Sequence, residues 1–326
     1  MNRRSPKINA RAARRFRADE NVLWPKFFIR AKAVSARAAR RRPGFRSGNR
    51  PRIVFLAGFS RPDFVGSARL ETATKQKFRI GSVPYLNAAP LTRDLGNAII
   101  FATPARLAEL LRRDALDAAL VSVTEVLLHD RYDILDGIAI ASLGEVYSVI
   151  LAHQKPLAEA KEVFCDTASL TSVNLLKVLL AERGLQPEFK PLENYPAALA
   201  KDFVLLIGDP AIEFQRAPHP HEIFDLGAAW TELTNLPFVY AVWALRRGID
   251  SQELRQELKA AKRSGMEQME QIIESREEFD ADFRRDYFEW HIHYRLAEDE
   301  KRGIARFCDL LRKHSLGPVF EPKFVS

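Results

Sequence analysis

Five polar loops in this chain each follow a short apolar run, and together they carry the side chains best suited to hold a small anion: Ser82–Asn87, Ser122–Thr124, Ser169–Ser172, Gly208–Asp209 and Thr231–Asn235. The first lies in FRIGSVPYLNAAPL, Phe78 to Leu91, where an apolar run opens into Ser82, Tyr85 and Asn87 ahead of Pro90. An amide such as Asn87 both donates and accepts hydrogen bonds, so it can orient a reacting group. In DTASLTS, Ser169, Thr171 and Ser172 crowd the start of an apolar helix, where unpaired N–H groups and the helix dipole favour an anion. Ser122 and Thr124 repeat that arrangement before VLLHD. The alternative for each loop is that a hydroxyl merely caps its own helix. Two such starts in opposing lobes would suit a molecule with two carboxylates. Glu125, Glu145 and Asp209 are the candidate acid or base groups.

Other chemistries leave no pattern. His291 and His293 are two apart and on a helix would face different ways, while His219 and His221 in APHPHE read as surface. No H-E-x-x-H, paired C-x-x-C, Walker loop or G-x-G-x-x-G occurs, so neither a metal nor a nucleotide cofactor is expected. The two cysteines, Cys165 and Cys308, lack metal-ligand spacing and read as buried thiols of a reducing compartment.

Loops of this kind need strands to deliver them and helices to receive them. From Phe78 the pattern alternates accordingly. Pro104–Arg113 is an amphipathic helix, Leu116–Ser122 a buried strand, and Ile138–His153 two strand-like runs around Gly144. EVFCDTASLTSVNLLKVLLAERG reads as strand, loop and helix closed by Gly184, and FVLLIGDPAI as a strand ending in a polar loop. Such alternation predicts mainly parallel sheets covered by helices. After Arg247 the character becomes helical. Asp250 and Glu253 form a potential capping box, and Phe283, Tyr287, Trp290 and Tyr294 recur at helical spacing.

The net charge of +8 is unevenly placed. Residues 1–52 hold 17 basic against two acidic side chains, whereas from Phe78 onward 29 basic face 38 acidic ones. The body is acidic and the basicity belongs to an extension, which argues against a nucleic-acid partner. Residues 1–77 are expected to be a disordered extension; a transit peptide is one reading of it, and a mis-called start, with the true one between Val54 and Leu70, is the favoured one. No run is long and apolar enough to span a bilayer, and a cytoplasmic location is expected.

The segments GSVPYLNAAPL, LDAALVSVTE, IASLGEVYSV, DTASLTSVNLLKVLL, LLIGDPAI and DLGAAWTELTNLPFVYAVWA, in that order, resemble the MqnA/MqnD family of menaquinone biosynthesis, on its dehydratase side. Leu143, Glu145, Leu170 and Asn235 depart from the family pattern. The resemblance implies an α/β, periplasmic-binding-protein-like type II fold, with two lobes about a ligand cleft and a helical C-terminal region. Residues 78–150 and 246–326 would form one lobe and 151–245 the other. It implies conversion of chorismate into 3-[(1-carboxyvinyl)oxy]benzoate and water without a cofactor, the substrate's own enolpyruvyl carboxylate taking the ring proton. Asn87 would be the catalytic residue, with Ser82, Tyr85, Ser122, Thr124, Ser148, Thr171, Ser172 and Asp209 binding substrate. A solute-binding protein for a small carboxylate is the competing class.

Overall fold

The structure, a computed structural model, describes residues 78–96, 99–165 and 170–326. The basic extension at 1–77 and the candidate Ser169 lie outside the described residues. The chain opens with β1 (Ile80–Ser82), a 3-10 turn over Leu86–Ala88, α1 (Ala89–Thr92), β2 (Ile99–Phe101), α2 (Pro104–Arg112), β3 (Ala118–Ser122), α3 (Val123–Leu128) and β4 (Tyr132–Ser142). It crosses to a second lobe through β5 (Val149–His153), β6 (Glu162–Cys165), α4 (Leu170–Ala181), β7 (Glu188–Pro191), β8 (Phe203–Ile207), α5 (Gly208–Arg216), β9 (Glu222–Asp225) and α6 (Leu226–Thr234). It returns with β10 (Phe238–Arg246), followed by α7 (Gln252–Glu267), α8 (Met269–Ser275), α9 (Ala281–Asp286), a π-helical turn (Tyr287–His291), α10 (Glu298–Lys313) and β11 (Phe324–Val325).

Two mixed sheets result, ordered β11-β4-β10-β3-β1-β2 and β7-β6-β8-β5-β9. β1 pairs in parallel with β2 and β3, and β6 in parallel with β7 and β8. The strands beside the two crossings run against their neighbours: β5 is antiparallel to β8 and β9, and β10 to β3 and β4. Sheet membership corrects the lobe boundaries read from sequence. Val149 and Ile150 belong with the inserted lobe, while Phe238–Leu245 sits in the first sheet, so the return crossing falls between α6 and β10.

Aromatic packing ties that return to the first lobe. Trp230 of α6, Phe238 of β10 and Phe307 of α10 are buried together, with ring centroids 5.0 Å apart for Trp230–Phe238 and Phe238–Phe307. Each such contact adds about 0.5–1.5 kcal/mol to simple burial. At the opposite ends of the strands, Asp117 accepts from the Arg79 main-chain N–H (3.0 Å), the Arg79 guanidinium (2.8 and 3.1 Å) and Arg246 (2.8 Å), pinning β1, β3 and β10 together. The guanidinium of Arg79, foremost, holds the Asp117 carboxyl far below the usual carboxylate range.

Several local readings change. The Asp250–Glu253 capping box does not form: Ser251 occupies the N-cap of α7, and the Asp250 carboxylate accepts from the Gln252 N–H at 3.1 Å. The helical stripe through Phe283 and Tyr287 breaks at the π-helical turn. Its wider spacing rotates Trp290 into solvent (75% exposed) and leaves Tyr294 buried in the extended segment that follows. His221 is buried, its Nε2 2.8 Å from the Lys201 carbonyl, rather than on the surface. Cys165 and Cys308 are both buried, and burial pushes the Cys308 thiol up to about 12.

One glycine fixes the helix that follows Asn87. A Cβ on Gly265 of α7 would stand 1.8 Å from the Pro90 carbonyl oxygen, so α7 touches α1 backbone to backbone. Gly265→Ala gains about 1 kcal/mol in helix propensity but forces two backbones apart, an overpacking cost of about 1–3 kcal/mol or more. The clash wins, and the variant is expected to melt below the wild type in a calorimetric scan. An unchanged or raised melting temperature would show that α7 can slide without penalty.

Candidate functional site

The loops at the strand ends enclose a small cavity of about 80 Å³ between the two sheets. Its apolar wall includes Val83, Leu120, Ile140, Val149, Ile207 and Ile292; its polar groups are Tyr85, Asn87, Ser122, Ser148, Thr171, Ser172 and Tyr240. None of these lining side chains carries a positive charge, so an anion here would be met by hydroxyls, an amide and helix N–H groups.

Asn87 lies in the 3-10 turn that links β1 to α1. Its main-chain carbonyl accepts from the Tyr294 hydroxyl at 2.9 Å, which fixes the turn. Its Oδ1 is buried without a hydrogen-bond partner among the described residues. An unsatisfied amide oxygen at a cavity wall is costly unless a ligand or water meets it.

Thr171 joins the lobes. From the first turn of α4 its Oγ1 accepts the Thr124 N–H of α3 at 3.1 Å and makes a short hydrogen bond with Ser122 Oγ. The helix start expected at Ser122–Thr124 is thus capped by a side chain from the opposite lobe. Ser148, on the crossing into β5, receives the Tyr287 hydroxyl at 2.8 Å, and its carbonyl accepts the Gly208 N–H at 2.7 Å. Gly208 has φ +61°, a conformation that suits glycine, and a Cβ built on it would stand 3.5 Å from the Tyr85 ring.

Three residues read from sequence as substrate contacts are not among those lining the cavity. Ser82 is buried and turns its hydroxyl to the Val83 carbonyl at 3.4 Å. Thr124 contributes its N–H to Thr171, and its own hydroxyl is buried without a partner among the described residues. Asp209 instead accepts the Leu86 N–H at 3.3 Å, supporting the Asn87 turn from behind. Burial pushes its carboxyl up to about 6. The other candidate acids are also placed elsewhere. Glu125 is buried against Arg112 (2.7 Å), and the Glu145 side chain is exposed.

The crossing loop has its own scaffold. Asp225, the N-cap of α6, accepts from Ala228 (2.9 Å), Val146 (3.1 Å) and Tyr147 (2.8 Å), while Thr231 accepts the Gly144 N–H at 2.8 Å. Burial raises the Asp225 carboxyl. Asn235 ends α6 at φ +54°, a left-handed cap that asparagine tolerates. Tyr240 and the supporting Tyr287 and Tyr294 were missed as site residues. The only signal for Tyr240 was a hydroxyl within the apolar run FVYAVWALR; its OH lies 3.1 Å from Ser142 Oγ.

Two lobes exchanging the chain twice about a cleft define a periplasmic-binding-protein-like fold. The chain is similar to a protein from Archaeoglobus fulgidus (TM-score 0.59, 18% identity, covering 73% of this chain and 98% of that one). It is also similar to an ABC transporter from Parabacteroides distasonis (TM-score 0.53, 14% identity, 73% and 93% covered). The profile of a menaquinone biosynthesis family matches residues 78–313. Chorismate dehydratase of Thermus thermophilus is 35% identical over 274 residues, covering 75% of this chain and 97% of that enzyme. The chain therefore belongs to the menaquinone biosynthesis family. Among the described residues no helix is long and apolar enough to cross a membrane, and no group of acids, histidines and cysteines could hold a metal ion.

The raised Asp209 carboxyl gives a pH signature. With a folded pKa of about 6 against about 3.9 unfolded, the folded state keeps its proton longer. Stability is therefore lost as pH rises from about 4 through about 6 and stays reduced above. Asp209→Asn removes this loss while retaining an oxygen for the Leu86 N–H. The variant's melting temperature relative to wild type is expected to be higher at pH 7.5 than at pH 4.5. A difference independent of pH would mean that Asp209 titrates normally.

Proposed function

We propose that this protein is a chorismate dehydratase, converting chorismate to 3-[(1-carboxyvinyl)oxy]benzoate and water in cytoplasmic menaquinone biosynthesis. Kinship over nearly the whole length of the Thermus thermophilus enzyme carries this reading. The cleft is chemically compatible with it. Chorismate carries two carboxylates and a ring hydroxyl, and the cavity offers Ser122, Thr171 and Ser172 at one side with Asn87 and Ser148 also lining its wall.

The reaction removes the ring proton beside the enolpyruvyl ether, expels the neighbouring hydroxyl and gains an aromatic ring. No histidine, lysine or carboxylate side chain lines the described cavity. This favours a route in which the substrate's enolpyruvyl carboxylate accepts the proton. The protein's part is then to orient that carboxylate over the ring C–H, to hydrogen-bond the departing hydroxyl and to exclude water. Asn87, with its uncommitted Oδ1 and two N–H donors, is assigned the orienting role. Thr171 and Ser172 bind carboxylate from the α4 side and Ser122 from the end of β3.

Asn87→Ala is expected to keep the fold, since Tyr294 holds its main chain, and to lower kcat on chorismate by roughly 10²–10³, as for loss of one preorganised donor in a dry site. Steady-state kinetics beside circular dichroism measure this. Near-wild-type turnover in a folded variant would remove Asn87 from the mechanism.

A further inference from the structure

The π-helical turn and the extended segment after it supply two buried tyrosine hydroxyls that converge on the cleft's polar wall. Tyr294 donates to the Asn87 carbonyl at 2.9 Å and Tyr287 to Ser148 Oγ at 2.8 Å. We propose that Tyr287 is a positioning residue for the reaction in the cleft: by donating a hydrogen bond to Ser148, it sets the Ser148 hydroxyl as a donor aimed at the bound substrate's departing oxygen. This rests on the dehydratase reading.

A serine hydroxyl has one proton to give and two lone pairs to receive. Ser148 is 1% exposed, its main chain is fixed by Gly208 N–H on its carbonyl and by its own N–H on Val146 (both 2.7 Å), and Tyr287 is the one hydrogen-bond partner its hydroxyl has among the described residues. With a lone pair taken by Tyr287, the remaining proton is free for a ligand, and Ser148 lines the cavity. Burial holds the Tyr287 phenol well above its ordinary range, although the Ser148 hydrogen bond and the neighbouring Asn87 side chain pull the other way. Tyr287 therefore stays protonated at any working pH. A phenol that cannot ionise is a fixed hydrogen-bond donor: it orders Ser148 without losing its proton, and the departing hydroxyl becomes water with the ring proton that the enolpyruvyl carboxylate has taken up.

The ring of Tyr287 is independently packed. It stacks on Phe283 (5.9 Å, 14°) and His291 (6.3 Å, 27°), so Tyr287→Phe removes the hydroxyl and leaves the packing. The π-helical turn places it there; an unbroken helix would present a different face.

The test is a double-mutant cycle on chorismate turnover with wild type, Ser148→Ala, Tyr287→Phe and the double variant. Tyr287→Phe is expected to lower kcat roughly ten- to a hundredfold with a smaller change in KM, and the double variant to be no slower than Ser148→Ala. A merely structural role would lower melting temperature, leave kcat near wild type, or multiply with Ser148→Ala, and each of these overturns the assignment. Should Ser148→Ala melt early, Ser148→Cys keeps the volume with a weaker donor and replaces it in the cycle. Wild-type protein that leaves chorismate unchanged overturns the dehydratase reading and this assignment with it. Wild-type turnover matched by Tyr287→Phe overturns this assignment alone.

Discussion

The hydroxyl of Thr171 is where the two lobes close on one another. It belongs to the first turn of α4 in the inserted lobe, yet it caps the Thr124 N–H of α3 and contacts Ser122 in the other lobe. A helix N-terminus leaves N–H groups that need acceptors, and here an acceptor comes across the cleft. The cleft's geometry thus depends on closure: separate the lobes and α3 loses a cap, while Ser122 and Thr171 lose each other. Asp209 repeats the device on the other side, reaching from α5 to the Leu86 N–H ahead of Asn87.

Closure also explains where the charges are. Carboxylates near the site serve the scaffold: Asp225 gathers the crossing loop, Glu125 pairs with Arg112, and Asp209 supports a turn. The cavity wall is left to neutral groups, and a fixed negative charge there would repel a dianion. Neutral donors in a site of low dielectric hold an anion with directional bonds, and they keep their protons across the working pH range. The buried tyrosines extend the same logic outward, since their hydroxyls hold the Asn87 turn and the Ser148 loop without adding charge.

Most of the cavity wall was legible because short polar loops after apolar runs keep a local signature. Asn87, Tyr85, Ser122, Ser148, Thr171 and Ser172 all line the cavity. Neighbours in the same loops do not, because successive residues at a strand end or in a helical turn point different ways. Ser82 turns to its own main chain, and Thr124 presents its N–H rather than its hydroxyl. Tyr287 and Tyr294 were visible only as members of an apolar helical stripe. Their role depends on a π-helical turn and on contacts spanning 139 and 207 residues, which spacing cannot report. The lobe boundary failed similarly: the apolar run through Phe238 and Trp243 fits either sheet, and only its pairing with β3 and β4 assigns it.

A binding-protein fold here serves an enzyme for chorismate, although the same architecture can hold a ligand without changing it. The most direct measurement is to mix the purified full-length protein with a small excess of chorismate and identify the small molecules recovered by mass spectrometry and proton NMR. An aromatic product lighter by one water that keeps the enolpyruvyl ether is expected. Chorismate recovered unchanged from a stoichiometric complex, or a product that has lost pyruvate instead of water, would contradict it.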